Sequence, residues 1–447
     1  MTAEVPGKDG TKASAATMWP ASLWMETARP RPAVARQAGP SGQDSADVVI
    51  VGGGYTGLSA AQRFVERGLR PLIVEANGIG WGASGRNGGV VSPKFRLAIP
   101  DMARRHGQDV ARRMAGLGHE AVDAVKEAVR RDGIDDADLT MTGNLRCAHT
   151  RSAFDALKAE ARTMREDFGD ETSRILDRDE VADETGSADF VGGVLVSHAG
   201  LIHPLNYALG LAEGLRGRGV GIWEGAPATS VRQDGAGVVV ETPLGAIRAR
   251  YALLATNGYS DLAPGTAAIR RAVIPFRSAM VATGPLSEEL RARLLRHGRS
   301  YSETRRMMRW FRPYRDRLIF GGRGAFGKTD SQAAFDALER AMLRVFPDLR
   351  GVPITHRWSG LVAMTLDAVP QLGRLDDRIS FALGYNGAGI AMASLMGRYA
   401  ADVTLGDRPD LALLRPKQLK SIPFYSLRGP AVRLVASWYQ LLDTAGR

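Results

Sequence analysis

The segment DVVIVGGGYTGLSAA, beginning at Asp47, constrains this chain more than any other part of it. An apolar run of strand length ends directly in glycines. Residues with helical spacing follow, through LSAAQRFVERG, and a second apolar run, RPLIVEA, closes the unit. Strand, helix, strand is the βαβ unit of a parallel sheet, whose strands are apolar throughout because both faces are covered. Gly52, Gly54 and Gly57 stand in the order G-x-G-x-x-G. The first permits a tight turn, the second lets backbone approach a pyrophosphate, and the third lets helix and strand pack closely. The start of the helix then offers free N–H groups to phosphate. Glu75 ends the second strand 18 residues after Gly57, where a carboxylate receives the hydroxyls of an unphosphorylated ribose. The unit predicts FAD or NAD rather than NADP, with Tyr55, Thr56 and Ala76 beside the ligand.

A second glycine motif competes. GRGAFGKT at 322–329 matches the G-x-x-x-x-G-K-[ST] phosphate loop, with Lys328 placed for terminal phosphates and Thr329 for magnesium. Too little chain follows it for the parallel sheet such a loop anchors, and the strand before it is rich in arginine and aromatics. Nucleotide hydrolysis is therefore the weakest reading.

Composition narrows the class further. At 447 residues, 44% hydrophobic, the chain is long enough for two globular domains. Cys147 is the single cysteine, so neither an internal disulfide nor a multi-thiolate zinc site is available, and no metal is expected. No apolar run approaches the roughly 18 residues that cross a bilayer, and the first 30 residues lack the apolar block of a secretory signal. The chain is read as cytoplasmic. Its net charge of +11 comes from arginines scattered along the whole length, since only eight of 59 basic residues are lysine; no nucleic-acid partner is expected. The tail AVRLVASWYQLLD spaces Val432, Val435, Trp438, Leu441 and Leu442 along one helical face, read as packing on the protein rather than on a membrane.

Taken with GGGYTG and Glu75, the segment GWGASGRNGG at 80–89 brings a family into view. The chain resembles the D-amino-acid oxidase-like FAD-dependent oxidoreductases, and within them the gamma-glutamylputrescine oxidase branch. The likeness runs through ASLWMETA at 21–28, GLIHPLNYALGLA at 200–212, ATNGY at 255–259, RLIFGG at 317–322, RWSGLVAMTLDAVPQLG at 357–373 and GYNGAGIAMA at 384–393. It implies that Ala83, Ser84, Gly85, Arg86, Asn87, Gly88 and Gly89 wrap the pyrophosphate and ring edge of FAD. Thr256, Asn257 and Gly258 belong to the same site. Gly387, Ala388, Gly389 and Ile390 open a final helix whose positive end faces the N1 and C2 carbonyl region of the flavin. Thr365 and Asp367 lie in the same closing layer by resemblance. The second glycine loop carries no histidine, and Cys147 lies elsewhere, so the FAD is expected to be non-covalent.

The resemblance also implies the chemistry: a hydride passes from the amine-bearing carbon to flavin N5, the imine hydrolyses, and O2 reoxidises the flavin to give H2O2. A dehydrogenase passing electrons to a quinone or carrier is the second reading, and a flavin-binding partner without turnover the third. In RMMRWFRPYR, period-two alternation puts Trp310 and Arg312 on one face. By resemblance that strand roofs the flavin, and Arg312 offers a bidentate fork to a substrate carboxylate. Tyr259 and His203 are further substrate candidates, beside the plainer reading that each satisfies a local hydrogen bond. No acid or base is named.

The expected fold is α+β with α/β character: a discontinuous, Rossmann-like FAD domain of glutathione-reductase type, and an inserted substrate domain on an antiparallel sheet. Residues 1–44 are read as an extended lead-in. Residues 45–100, 191–262 and 352–412 are assigned to the FAD domain, 101–190 and 263–351 to the substrate domain, and 413–447 to a helical tail.

Overall fold

The uniformly apolar run after Asp47 becomes a central strand, Ser45–Val51, covered on both sides. Val48 and Ile50 enter one hydrophobic core, Val49 and Val51 another. In this computed structural model, which describes residues 18–30, 45–325, 331–430, 432 and 434, two eight-stranded sheets carry the fold. The first runs 371–374, 379–383, 245–254, 45–51, 71–74, 221–223, with 237–242 and 230–234 branching from 245–254. Its five middle and far strands pair in parallel; 371–374 is an antiparallel edge. Helices Tyr55–Glu66, Pro204–Gly217 and Gly389–Thr404 cover one face.

The second sheet runs 354–364, 274–283, 317–325, 309–314, 300–303, 144–148, 192–196, 173–176. All its pairs are antiparallel except 300–303 with 144–148. One face carries a separate core of stacked aromatics, with Phe311 between Tyr301 and Phe320. The other face turns toward the first domain: Met280, Ile319 and Trp358 join the core of the parallel sheet. Rossmann-like and antiparallel-sheet architecture are thus both present.

Several boundaries differ from the expected ones. Gly192–Val196 and Ile354–Met364 are strands of the second sheet, although both were assigned to the FAD domain. Their apolar character suits either sheet, and only long-range pairing decides. Helix Gln108–Asp132, assigned to the substrate domain, buries Met114, Leu117, Ala121 and Val125 in the core of the first sheet. The lead-in is not extended throughout: Leu23–Thr27 is a short helix, N-capped by the Ser22 side chain, with Leu23 and Trp24 fully buried.

In the phosphate-loop motif, Gly322 to Ala325 end a strand whose partners on both sides are antiparallel, so the parallel sheet that such a loop requires is absent there. Lys328 and Thr329 lie outside the described residues, as does most of the tail face from Val432 onward. Among the described residues, no helix is long and apolar enough to cross a membrane.

Candidate functional site

A cleft opens where the first glycine turn, the second glycine loop and the last helix meet beneath the end of strand Ile354–Met364. Gly52, Gly54, Tyr55, Thr56, Glu75, Ala76, Ala83, Ser84, Asn87, Thr256, Asn257, Gly387 and Gly389 all line it. Gly57, Gly85, Arg86, Gly88, Gly89, Gly258, Ala388 and Ile390 are not among its lining residues. Gly57 has a packing role instead: a Cβ on it would stand 2.0 Å from the Gly52 carbonyl oxygen, so helix and strand meet there only because the side chain is missing.

Two helix N-termini converge on the cleft. Helix Tyr55–Glu66 has Gly54 as N-cap and helix Gly389–Thr404 has Ala388, and neither cap supplies a side-chain acceptor. Helices normally satisfy these leading N–H groups with a cap, water or ligand. One is partly served here, by Tyr55 N donating to Ser84 Oγ at 3.1 Å. The two ends are tied together by a 2.6 Å hydrogen bond between Thr56 Oγ1 and the buried Tyr385 hydroxyl. Both positive ends therefore point into one space, which suits a ligand with anionic or electron-accepting parts at each end.

Glu75 sits where the first strand pair ends. Its carboxylate accepts from Gly53 N at 2.7 Å and from Asn77 N at 2.9 Å. Burial raises its pKa, opposed by those backbone N–H groups. Opposite, Asn386 holds the last glycine loop in a left-handed turn at φ 55°, accepting from Thr365 N at 2.9 Å and donating to the Gly384 carbonyl at 2.6 Å. Thr365 is thus tied to the last glycine loop through Asn386. Asp367 is a turn residue, accepting from Val369 N and lying 3.5 Å from the Lys417 ammonium.

The four substrate candidates fare differently. Tyr259 lines the cleft, edge-on to Trp81, and its hydroxyl accepts from Leu361 N at 3.0 Å. Trp310 lies against the second glycine loop, close enough that a Cβ on Gly88 would stand 2.6 Å from its ring. Arg312 does share its face, but the structure gives it another use. Its Nη1 donates to the carbonyls of Gly88, Gly89 and Ile202, and it is almost wholly buried. Period-two alternation names the face of a residue, not its partner, and backbone oxygens serve a guanidinium as well as a substrate carboxylate does.

His203 is corrected too. It caps helix Pro204–Gly217, accepting at Nδ1 from Asn206 N, and its Nε2 lies 3.0 Å from Thr27 Oγ1. Thr27 already donates to the Leu23 carbonyl, so Nε2 carries the proton. Burial, with Arg312 nearby, pushes its pKa down to about 3; the ring stays neutral and structural.

Reading the sequence did not single out Trp81, Asn77, Tyr385 or Asn386, all of which line the cleft. Trp81, Tyr385 and Asn386 sit inside the glycine motifs, where glycine and not the larger neighbour carries the signal. Among the described residues, no group of three His, Cys, Asp or Glu is arranged to hold a metal.

The family model described as DAO, FAD dependent oxidoreductase, matches residues 47–403. This chain belongs to that family. The chain is 32% identical over 407 residues to the gamma-glutamylputrescine oxidoreductase of Escherichia coli, covering 90% of this chain and 93% of that one. It is 31% identical to a probable oxidoreductase, OrdL, of Haemophilus influenzae, over 90% and 92% of the two chains. Among solved structures, glycine oxidase from Geobacillus kaustophilus superposes with a TM-score of 0.70 at 21% identity, over 84% of this chain and 98% of that one. The protein is therefore an FAD-dependent oxidoreductase.

The cleft fits FAD on its own geometry. Gly387, at φ +99°, and Gly389 line it, and a Cβ on either would meet no protein atom within 4 Å. Those positions face open space at the uncapped end of the last helix, as a flat ligand requires.

Proposed function

We propose that this DAO-family protein oxidises an amine, with molecular oxygen as the electron acceptor and a polyamine-derived or amino-acid substrate. The observation that carries it is the pair of uncapped helix ends facing one cleft, in a chain whose E. coli relative bears the name of a putrescine conjugate. FAD, when bound, supplies the two-electron oxidant for the carbon that bears the amine.

The chain's own residues bind and orient. Glu75 and the Gly52–Gly54 turn would take the ribose and pyrophosphate. Ser84 and Asn87 would take the middle of the cofactor. The N–H groups behind Gly387 and Gly389 would stabilise negative charge at the pyrimidine edge. Trp310 covers the second glycine loop from the side of the second sheet, and Tyr259 and Trp81 form an aromatic corner of the cleft. The cofactor is held without a covalent bond: the loop contains no histidine or cysteine, and Cys147 is fully buried in the far core of the second sheet.

An anaerobic panel of amines, read as loss of the flavin band near ~450 nm, tests the substrate class. Bleaching by a polyamine conjugate or an amino acid, followed by recolouring in air with release of H2O2, is the expected result. Bleaching that air does not reverse, but a quinone does, would make the protein a dehydrogenase. No bleaching by any amine would remove the proposal.

A further inference from the structure

Four successive carbonyl oxygens of the second glycine loop are held from outside the cleft. Arg86 O accepts from Trp358 Nε1 at 3.1 Å, Asn87 O from Trp24 Nε1 at 2.8 Å, and Gly88 O and Gly89 O from Arg312 Nη1 at 3.4 and 3.2 Å. These donors come from three distant parts of the chain and pack together. The Trp24 ring is edge-on to Trp358 at 6.3 Å, and the Arg312 guanidinium lies 5.4 Å from it. Trp358 and Arg312 stand on strands of the second sheet. Trp24 comes from the five-residue helix near the N-terminus, which belongs to neither sheet.

A helix that short has no stability of its own, so its position is set by what it touches. Leu23 and Trp24 are fully buried, Glu26 meets His356 Nε2 at 2.9 Å, and Thr27 meets His203. On the cleft side, Asn87 is equally committed. Its Nδ2 donates to the Tyr55 hydroxyl and to the Ala83 and Ser84 carbonyls, and its Oδ1 accepts from Gly89 N. Asn87 thus joins the Trp24 indole to the first glycine helix.

We propose that Trp24 is a positioning residue of the FAD site, its indole N–H fixing the main chain at Asn87, which lines the cleft, in the orientation that receives the cofactor. The proposal rests on the reading of the cleft as the FAD site. In a planar trans peptide, the Asn87 carbonyl and the Gly88 N–H point in opposite directions. Holding the oxygen against Trp24 therefore aims the N–H away from it. Without the donor, the half-buried Asn87 O loses the hydrogen bond that holds it, which favours rotation of the peptide.

The test compares wild type with Trp24→Phe, which keeps a ring against His203 and Tyr314 and removes the N–H. Trp24→Met, which fills gaps flexibly, is the second variant should Phe leave the segment poorly packed. FAD affinity of the apoprotein is measured by flavin fluorescence quenching, and backbone hydrogen exchange is followed over 84–91 and over strand Ser45–Val51. Loss of one net hydrogen bond should weaken FAD binding roughly 3- to 10-fold. Exchange should rise in 84–91 while the strand stays as protected as before. Binding within about twofold of wild type by either folded variant overturns the proposal. So does faster exchange spread equally over loop and strand, which would make Trp24 a general packing residue. Wild-type protein that binds no FAD would instead overturn the reading of the cleft.

Discussion

Replacing Gly389 with leucine should separate the ligand from the fold. Gly389 is the first residue of the last helix and lines the cleft, and a Cβ there would meet no protein atom within 4 Å. The protein therefore leaves room for a Cβ there, on the side that opens into the cleft. Exchanging glycine for a good helix former near a helix start gains up to ~0.7 kcal/mol. That corresponds to a rise of about 1–2 °C in the apoprotein melting temperature for a chain of this size. The leucine side chain then occupies space that the flavin needs. FAD affinity should fall on the order of 100-fold or more, ~2.7 kcal/mol. The assay is a titration of apoprotein with FAD, read by fluorescence, alongside thermal unfolding of the same apoprotein. A variant that stays yellow with near wild-type affinity would refute the placement of the cofactor. A variant whose apoprotein melts well below wild type would refute the inference that the space beside Gly389 is empty of protein.

Three further outcomes follow from particular contacts. Gly57→Ala should fail in the opposite way, because its Cβ would lie 2.0 Å from the Gly52 carbonyl oxygen; circular dichroism should show loss of the cooperative fold, with or without FAD. Glu75→Gln sets an amide N–H2 against the Gly53 or Asn77 N–H that the carboxylate now accepts, so FAD affinity should fall about tenfold by equilibrium dialysis. His203, with its pKa pushed from 6.5 to about 3 by burial and by Arg312, refuses in the folded state a proton that the unfolded chain accepts. Its contribution to stability is complete above pH 6.5 and is lost as pH falls toward 3, at about 1.4 kcal/mol per pH unit. Urea midpoints of wild type should follow that slope, and His203→Asn, which keeps an acceptor at the helix cap, should flatten it.

The nucleotide-binding unit was legible because both of its signals are local. Val48 to Val51 are apolar at every position because a parallel strand is buried on both faces, and Gly57 is fixed by contact with Gly52 only five residues away. Gly192–Val196 carries the same apolar signal yet pairs antiparallel with Asn144–Ala148, some fifty residues earlier, and nothing within the segment says so. Leu23–Thr27 was missed for a related reason. It lies in a stretch rich in proline, alanine and arginine, too short to show a period, and takes its shape from Trp24 and Leu23 being buried elsewhere.

The same division runs through the site. Many residues that line the cleft are glycines, as backbone lying against a flat ligand requires, so the lining shows in sequence as glycine clusters. The side chains that hold the clusters in place carry no such signature. Trp24, Arg312 and Trp358 stand 63, 223 and 272 residues from the loop oxygens they hold, and any donor of the right reach would serve. The chemistry of Arg312 suits a substrate carboxylate, but its geometry commits it to the loop. Where a site is built from main-chain groups, its ligand-facing half is written locally and its supporting half is dispersed, so substitutions far from the motif should control cofactor retention as strongly as those within it.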